Sequence, residues 1–195
     1  MKHVGLPPLM FITDRRMFDD QWVMLEALKM ACWHAPSGAV LVHVREKDLE
    51  GAELASLTSA IVDAAHSAGQ RVVVNDRMDV ALACGADGVH LPENGLSPED
   101  VRDAWAHALI GKSCHSVEAC STAGRVDYVT LSPIFHLEAK PDLQALGLDA
   151  LRQAAQAPVA VYALGGVNEE RAHLVYETGV HGVAMRRAWR TLSSH

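Results

Sequence analysis

The stretch Ile110-Gly111-Lys112-Ser113-Cys114-His115-Ser116 sets a small residue, a hydroxyl and an imidazole at alternate positions. On an extended strand alternate side chains share one face, so Gly111, Ser113 and His115 point together. Gly111 leaves room, Ser113 offers a hydroxyl, and His115 offers an imidazole, a side chain able to take up and return a proton. Such a trio suits proton transfer on a small bound molecule. Cys114 lies between them and faces the opposite way, which keeps its thiol from the imidazole.

Other apolar runs also end in polar residues. Arg45 and Lys47 follow 39–44, Asn75 and Asp76 follow 71–74, and His90 lies near the end of 87–91. Lys140 stands in a long connecting segment, 132–147. Gly165-Gly166 open onto Val167-Asn168-Glu169-Glu170, a helix start. Glycines admit close backbone approach, and the free amides and dipole of a helix start favour an anion, so this pair is a candidate phosphate cradle. Arg186 and Arg187, after the last apolar run, are placed to complete it. His43, Asp76, His90, His115 and His136 are metal-ligand types near the same strand ends, but none has the paired spacing of a dedicated zinc site.

The elements that must position these residues are legible from apolar periodicity. Runs at 9–13, 39–44, 71–74, 87–91, 110–116, 127–131, 158–164 and 181–185 read as buried strands. Helices are predicted at 21–33, 51–68, 78–84, 97–108, 117–123 and 148–156, from 168 to the stop at Gly179, and in a short tail. Ser97-Pro98-Glu99-Asp100 is a strong helix start, with Ser as cap, Pro first, and acids facing the dipole. Eight strand–helix alternations predict an α/β fold, a compact (β/α)₈ barrel, with a doubly wound sheet of fewer strands as runner-up. The 195 residues are few beside the roughly 250 of a typical barrel, so its loops must be trimmed. Loops after the strands share one face of a barrel, where residues distant in sequence converge. No Pro/Ser-rich linker or low-complexity segment interrupts the chain, which reads as one domain over 1–195.

A hydrophobic content of 49% suits a sizeable core, and a net charge of −7 argues against nucleic acid as a partner. A small anion remains compatible, because local basic residues can oppose the global charge. Cys32, Cys84, Cys114 and Cys120 lack the density and pairing of a secreted scaffold, so reduced thiols are expected. No apolar run reaches membrane-spanning length and the first residues lack a signal core. A cytoplasmic protein without membrane partners is the expectation, and Trp22 or Trp189 could serve self-association as a homo-oligomer.

Seven segments together resemble the thiamine phosphate synthase superfamily. They are Phe-Ile-Thr-Asp-Arg (11–15), Val-Arg-Glu-Lys (44–47), Asn-Asp-Arg (75–77), Gly-Ala-Asp-Gly-Val-His-Leu (85–91), Gly-Lys-Ser-Cys-His-Ser (111–116), Asp-Tyr-Val (127–129) and Ala-Leu-Gly-Gly-Val (163–167). The resemblance implies a (β/α)₈ barrel acting on thiamine precursors. In the synthase branch a pyrimidine pyrophosphate is joined to a thiazole phosphate, with Mg²⁺ held by two aspartates. Asp76 matches the first aspartate, but Gly95 stands at the second, and two pyrophosphate-binding threonines are Leu137 and Ala139, leaving Lys140. The glutamine that precedes the Arg-Glu-Lys motif with one residue between is His43.

The other branch, the TenI-type thiazole tautomerases, aromatises a thiazole phosphate carboxylate by moving a proton. It needs no metal, and its hallmark histidine corresponds to His115. The serine often found after strand eight is Arg187. The resemblance points first to this branch. His115 is then the general acid/base, and Arg45, Lys47, Asn75, Asp76, His90, Ser113 and Lys140 are substrate-binding candidates. Gly165, Gly166 and Arg187 hold the phosphate, no cofactor is expected, and the partner is a small phosphorylated thiazole. Two alternatives stay open: a divergent synthase binding Mg²⁺ at Asp76 with Glu93 in place of the lost aspartate, and a non-catalytic regulatory binder of thiazole or thiamine phosphate.

Overall fold

The computed structural model describes residues 5–139 and 141–186, so Lys140, Arg187, Trp189 and the tail helix lie outside the described residues. Strands β1 (Leu9–Ile12), β2 (Val40–Val44), β3 (Arg71–Asn75), β4 (Gly88–Leu91), β5 (Leu109–Cys114), β6 (Tyr128–Leu131), β7 (Ala160–Ala163) and β8 (Gly182–Met185) form a closed barrel. Every neighbouring pair is parallel and in chain order, and β8 returns to β1. Helices α1 (Gln21–His34), α2 (Gly51–Ser67), α3 (Met78–Ala83), α4 (Pro98–Ala104), α5 (Val117–Ser121), α6 (Gly147–Ala154) and α7 (Glu169–Tyr176) fill the connections. The expected (β/α)₈ barrel is therefore the one formed, and the doubly wound alternative is set aside.

Strand parity divides the apolar residues between two cores. Met10, Ile12, Leu41, Val73, Leu109, Tyr128, Ala160, Tyr162 and Ala184 pack inside the barrel. Their neighbours Phe11, Val40, Val42, Val72, Val74, Ile110, Val129, Val161 and Val183 pack outward against the helices. Strands buried on both faces must read as continuous apolar runs, which is why the sequence shows runs rather than alternation. Gly111 is an exception inside. A Cβ there would lie 2.0 Å from Tyr128 Cζ, so the room it leaves is filled by the tyrosine ring.

Helices start at Ser97 and Asn168 as the sequence predicts, and Ser116, expected in the strand, is a further cap. Ser97 Oγ accepts from the Asp100 N–H, Ser116 Oγ from Ala119, and Asn168 Oδ1 from Arg171. Asp20 caps α1, accepting from Trp22 and Val23. Several expected boundaries shift by a few residues, and two of the shifts have a visible cause. Helix α4 ends at Ala104 rather than 108, because Arg102 donates to the carbonyls of Ala106 and Ala108 and turns the chain into β5. Strand β5 ends at Cys114 rather than 116, because Ser116 caps α5, which leaves His115 in the turn beyond the strand.

Among the described residues no helix is long and apolar enough to cross a membrane. Trp22 is 59% exposed on α1.

Substituting Gly111→Ala forces Tyr128 from its place. Overpacking of this kind costs about 1–3 kcal/mol, so the urea midpoint falls. A midpoint equal to wild type would contradict the placement of the ring.

Candidate active site

The site follows from the same parity. Leu41 belongs to the interior core, so His43 and Arg45, two and four residues on, turn to the same side. Val73 likewise directs Asn75, Leu109 directs Ser113, Tyr128 directs Thr130, and Ala184 directs Arg186. The lower half of the barrel is thereby apolar, and the half toward the strand C-termini is polar.

His90 is 1% exposed and lies in the floor of that polar half. Its Nδ1 is 3.1 Å from Tyr128 Oη and its Nε2 is 3.0 Å from Ser113 Oγ. Thr130 Oγ1 stands 3.5 Å from the same Nε2. His43 lies 4.4 Å away between ring centroids, and neither of its ring nitrogens has a partner at hydrogen-bonding geometry. Burial and the nearby Arg45 cation push the His90 imidazole down to about 3, and burial, His90 and Arg45 lower His43 as well, so both rings are neutral at pH 7.

The rim carries charge. Arg45 is half-buried, and burial and Arg186 lower its pKa. Asp14 accepts from Arg16 Nε at 3.1 Å and faces Arg186 at 3.6 Å. Glu46, from the Arg-Glu-Lys motif, is buried and accepts the Arg15 N–H with both oxygens at 3.1 Å. The Arg45 N–H donates to Thr13 Oγ1 at 2.9 Å. These bonds tie the ends of β1 and β2 together and hold Arg45 at the opening.

His115 is exposed, and its Nδ1 is 2.9 Å from the Ser132 carbonyl oxygen. A carbonyl only accepts, so Nδ1 carries the proton and Nε2 of the neutral ring is left as a base. Asp76 is exposed in the left-handed region at φ 63°, a conformation that Asp tolerates better than most residues. Its N–H donates to the His90 carbonyl, 3.0 Å away, which fixes the β3 loop over β4. Cys114 is buried on the outer side, and contact with Cys120 together with burial pushes its thiol up, which removes it as a nucleophile.

Gly165 and Gly166 have φ of +93° and +68°. Their would-be Cβ atoms lie 2.8 Å from Pro133 Cα and 2.7 Å from Phe135 Cβ, so both torsion and packing demand glycine. Among the described residues neither glycine N–H enters a backbone hydrogen bond, which leaves two donors for an anion. The turn is braced by Arg171, which donates to the Gly166 carbonyl at 3.0 Å and lies over the Phe135 ring.

Of the sequence candidates, the structure joins His90 and Ser113 directly and sets Asn75 beside His90 in register. Lys47 is exposed at the rim, and Lys140 and Arg187 lie outside the described residues. His90 differs from expectation: both its nitrogens face side chains below the opening, so it holds Ser113 rather than offering a free group. His115 is off the strand and engages Ser132 rather than sharing the face of Ser113. Sequence reasoning passed over Asp14, Glu46, Tyr128 and Thr130, although parity from the apolar core would have pointed Tyr128 and Thr130 inward. Among the described residues no three His, Cys, Asp or Glu side chains gather to hold a metal ion.

The buried histidines make stability pH-dependent. Below pH 6.5 the unfolded chain takes up protons that His90 refuses until about 3. Stability is therefore full above 6.5 and falls as the pH drops from 6.5 toward 5, by up to about 1.4 kcal/mol per pH unit for each such histidine. Urea unfolding at pH 7, 6 and 5 should show this slope, and His43→Gln should reduce it. An unchanged slope in the variant would contradict a buried neutral His43.

Comparison with known proteins bears on this geometry. Residues 9–189 match the family described as thiamine monophosphate synthase. The thiamine-phosphate synthase of Methanoculleus marisnigri is 39% identical over 156 residues, 77% of this chain and 74% of its own. That of Pyrococcus horikoshii is 32% identical over 180 residues, 91% of this chain and 84% of its own. A solved structure of thiamine phosphate pyrophosphorylase from Pyrococcus furiosus superposes with a TM-score of 0.82 at 28% identity, covering 97% of this chain and 92% of that one. These relatives carry the synthase name, so the preference for the tautomerase branch taken from His115 finds no specific support among them. The strand-end residues, the glycine turn and the unbroken match leave one conclusion: the chain belongs to the thiamine monophosphate synthase family.

Proposed function

We propose that this protein is a thiamine-phosphate synthase, a transferase that joins a pyrimidine pyrophosphate to a thiazole phosphate. The thiazole nitrogen forms a bond to the pyrimidine methylene carbon, and the carbon–oxygen bond to pyrophosphate breaks. The observation that carries the reading is the Gly165-Gly166 turn after β7, whose two N–H groups enter no backbone hydrogen bond among the described residues. The synthase names of the relatives support it.

In this reading the glycine amides hold the thiazole phosphate. Ser113, positioned by His90, orients the heterocycle, and Arg45 and Lys47 oppose the negative charge of the leaving group. The family reaction uses Mg²⁺ between two aspartates, and the residues present do not fit that arrangement: Asp76 faces Gly95. No step is therefore assigned to the ion.

One observation favours a second reading. The Ser132 carbonyl fixes His115 with Nε2 as its free base, as a proton shift on a thiazole carboxylate phosphate would need.

One protein preparation separates the two. Supplied with hydroxymethylpyrimidine pyrophosphate and thiazole phosphate, wild type should release pyrophosphate and thiamine phosphate in equal amounts. Gly166→Ala should raise KM for the thiazole phosphate by about tenfold with little change in kcat, as loss of a ground-state contact does. No thiamine phosphate, but aromatisation of the thiazole tautomer that is lost in His115→Ala, would replace the first reading with the second.

A further inference from the structure

We propose that Pro92 and Gly95 have together closed the second carboxylate position beside Asp76, so that the protein has no resident divalent-cation site at this mouth. The inference deepens the synthase reading, since it concerns the metal requirement of that same site.

The β4–α4 loop supports it in three ways. Gly95 has no left-handed φ, so its backbone accepts any residue and torsion does not explain the glycine. Space does. A Cβ at position 95 would lie 2.7 and 2.8 Å from Pro92 Cδ and Cγ, closer than carbon atoms approach, and the proline ring has no flexible end to swing aside. The loop is also held shut, since the Gly95 N–H donates to the Pro92 carbonyl at 3.1 Å.

The same Cβ would be 3.2 Å from Asp76 Oδ1. Position 95 is thus where a second carboxylate would face the first across a shared cation. Hard divalent cations take oxygen ligands in sets of six or so, and a lone carboxylate holds them weakly. The two substitutions are linked. With Pro92 present, an acidic residue at 95 has nowhere to place its first carbon, so the loss of the aspartate cannot be reversed at one position.

The test is Mn²⁺ binding by the protein alone, followed by electron paramagnetic resonance of free Mn²⁺. This readout needs no turnover, so failure of the synthase reading and failure of this inference are separable. Wild type should bind Mn²⁺ no better than Asp76→Asn. Gly95→Asp alone should gain no affinity and should melt at a lower temperature. The double variant Pro92→Gly/Gly95→Asp should bind at least about tenfold more tightly, since even outer ligand partners change metal affinity by that much. Adding Asp76→Asn should abolish the gain. Wild-type binding as tight as that of the double variant would overturn the proposal. So would tight wild-type binding lost in Glu93→Gln, which would place the second carboxylate at Glu93. The wild-type titration decides the matter even if the double variant fails to fold.

Discussion

Closure of eight parallel strands is the constraint on which everything else depends. A closed barrel has an interior that only alternate side chains can fill, and that interior must be packed to the density of a solid. Here the filling changes character partway up. Met10, Leu41, Val73, Leu109 and Tyr162 close the lower half, and His43, His90, Ser113 and Thr130 occupy the upper half. Buried polar groups are tolerated only when bonded, and the His90 ring, with Tyr128, Ser113 and Thr130 around it, meets that requirement inside the barrel. His43 is the exception: neither ring nitrogen meets full hydrogen-bonding geometry, and the Asn75 side chain is the polar group that favours its charged form against burial.

From that layer the rest of the site is assembled by loops. Glu46 and Thr13 lock the β1 and β2 ends and present Arg45. Asp76 is fixed through its own N–H to the His90 carbonyl. Arg171 and Phe135 brace the Gly165-Gly166 turn opposite. The result is a rim of paired charges, with Arg45 and Lys47 as its cations on the β2 end, over a neutral floor in a chain whose net charge is −7; local cations of this kind can oppose the global charge toward a phosphorylated ligand.

Most of the fold was legible in the sequence because strands buried on both faces leave apolar runs, and because Ser97 and Asn168 announce helix starts. The boundaries with a visible cause moved through side chains that bond to nearby backbone. Arg102 unwinds the end of α4 by bonding to carbonyls ahead of it, and no local propensity records that. The site was legible as a set of strand ends and less so as roles. His115 sits off its strand because Ser116 is needed as a cap. Glu46 proved to be a tie between loops, and the partnership of Gly95 with Pro92 exists only once the loop is folded.

The central claim is that a phosphate docks on the Gly165-Gly166 amides while its heterocycle lies over the His90–Ser113 floor. A crystal structure with thiazole phosphate bound tests it most directly. Phosphate oxygens should lie within hydrogen-bonding distance of both glycine N–H groups, with the ring facing Ser113 and His43. A phosphate held elsewhere, with the glycine turn empty, would contradict the claim.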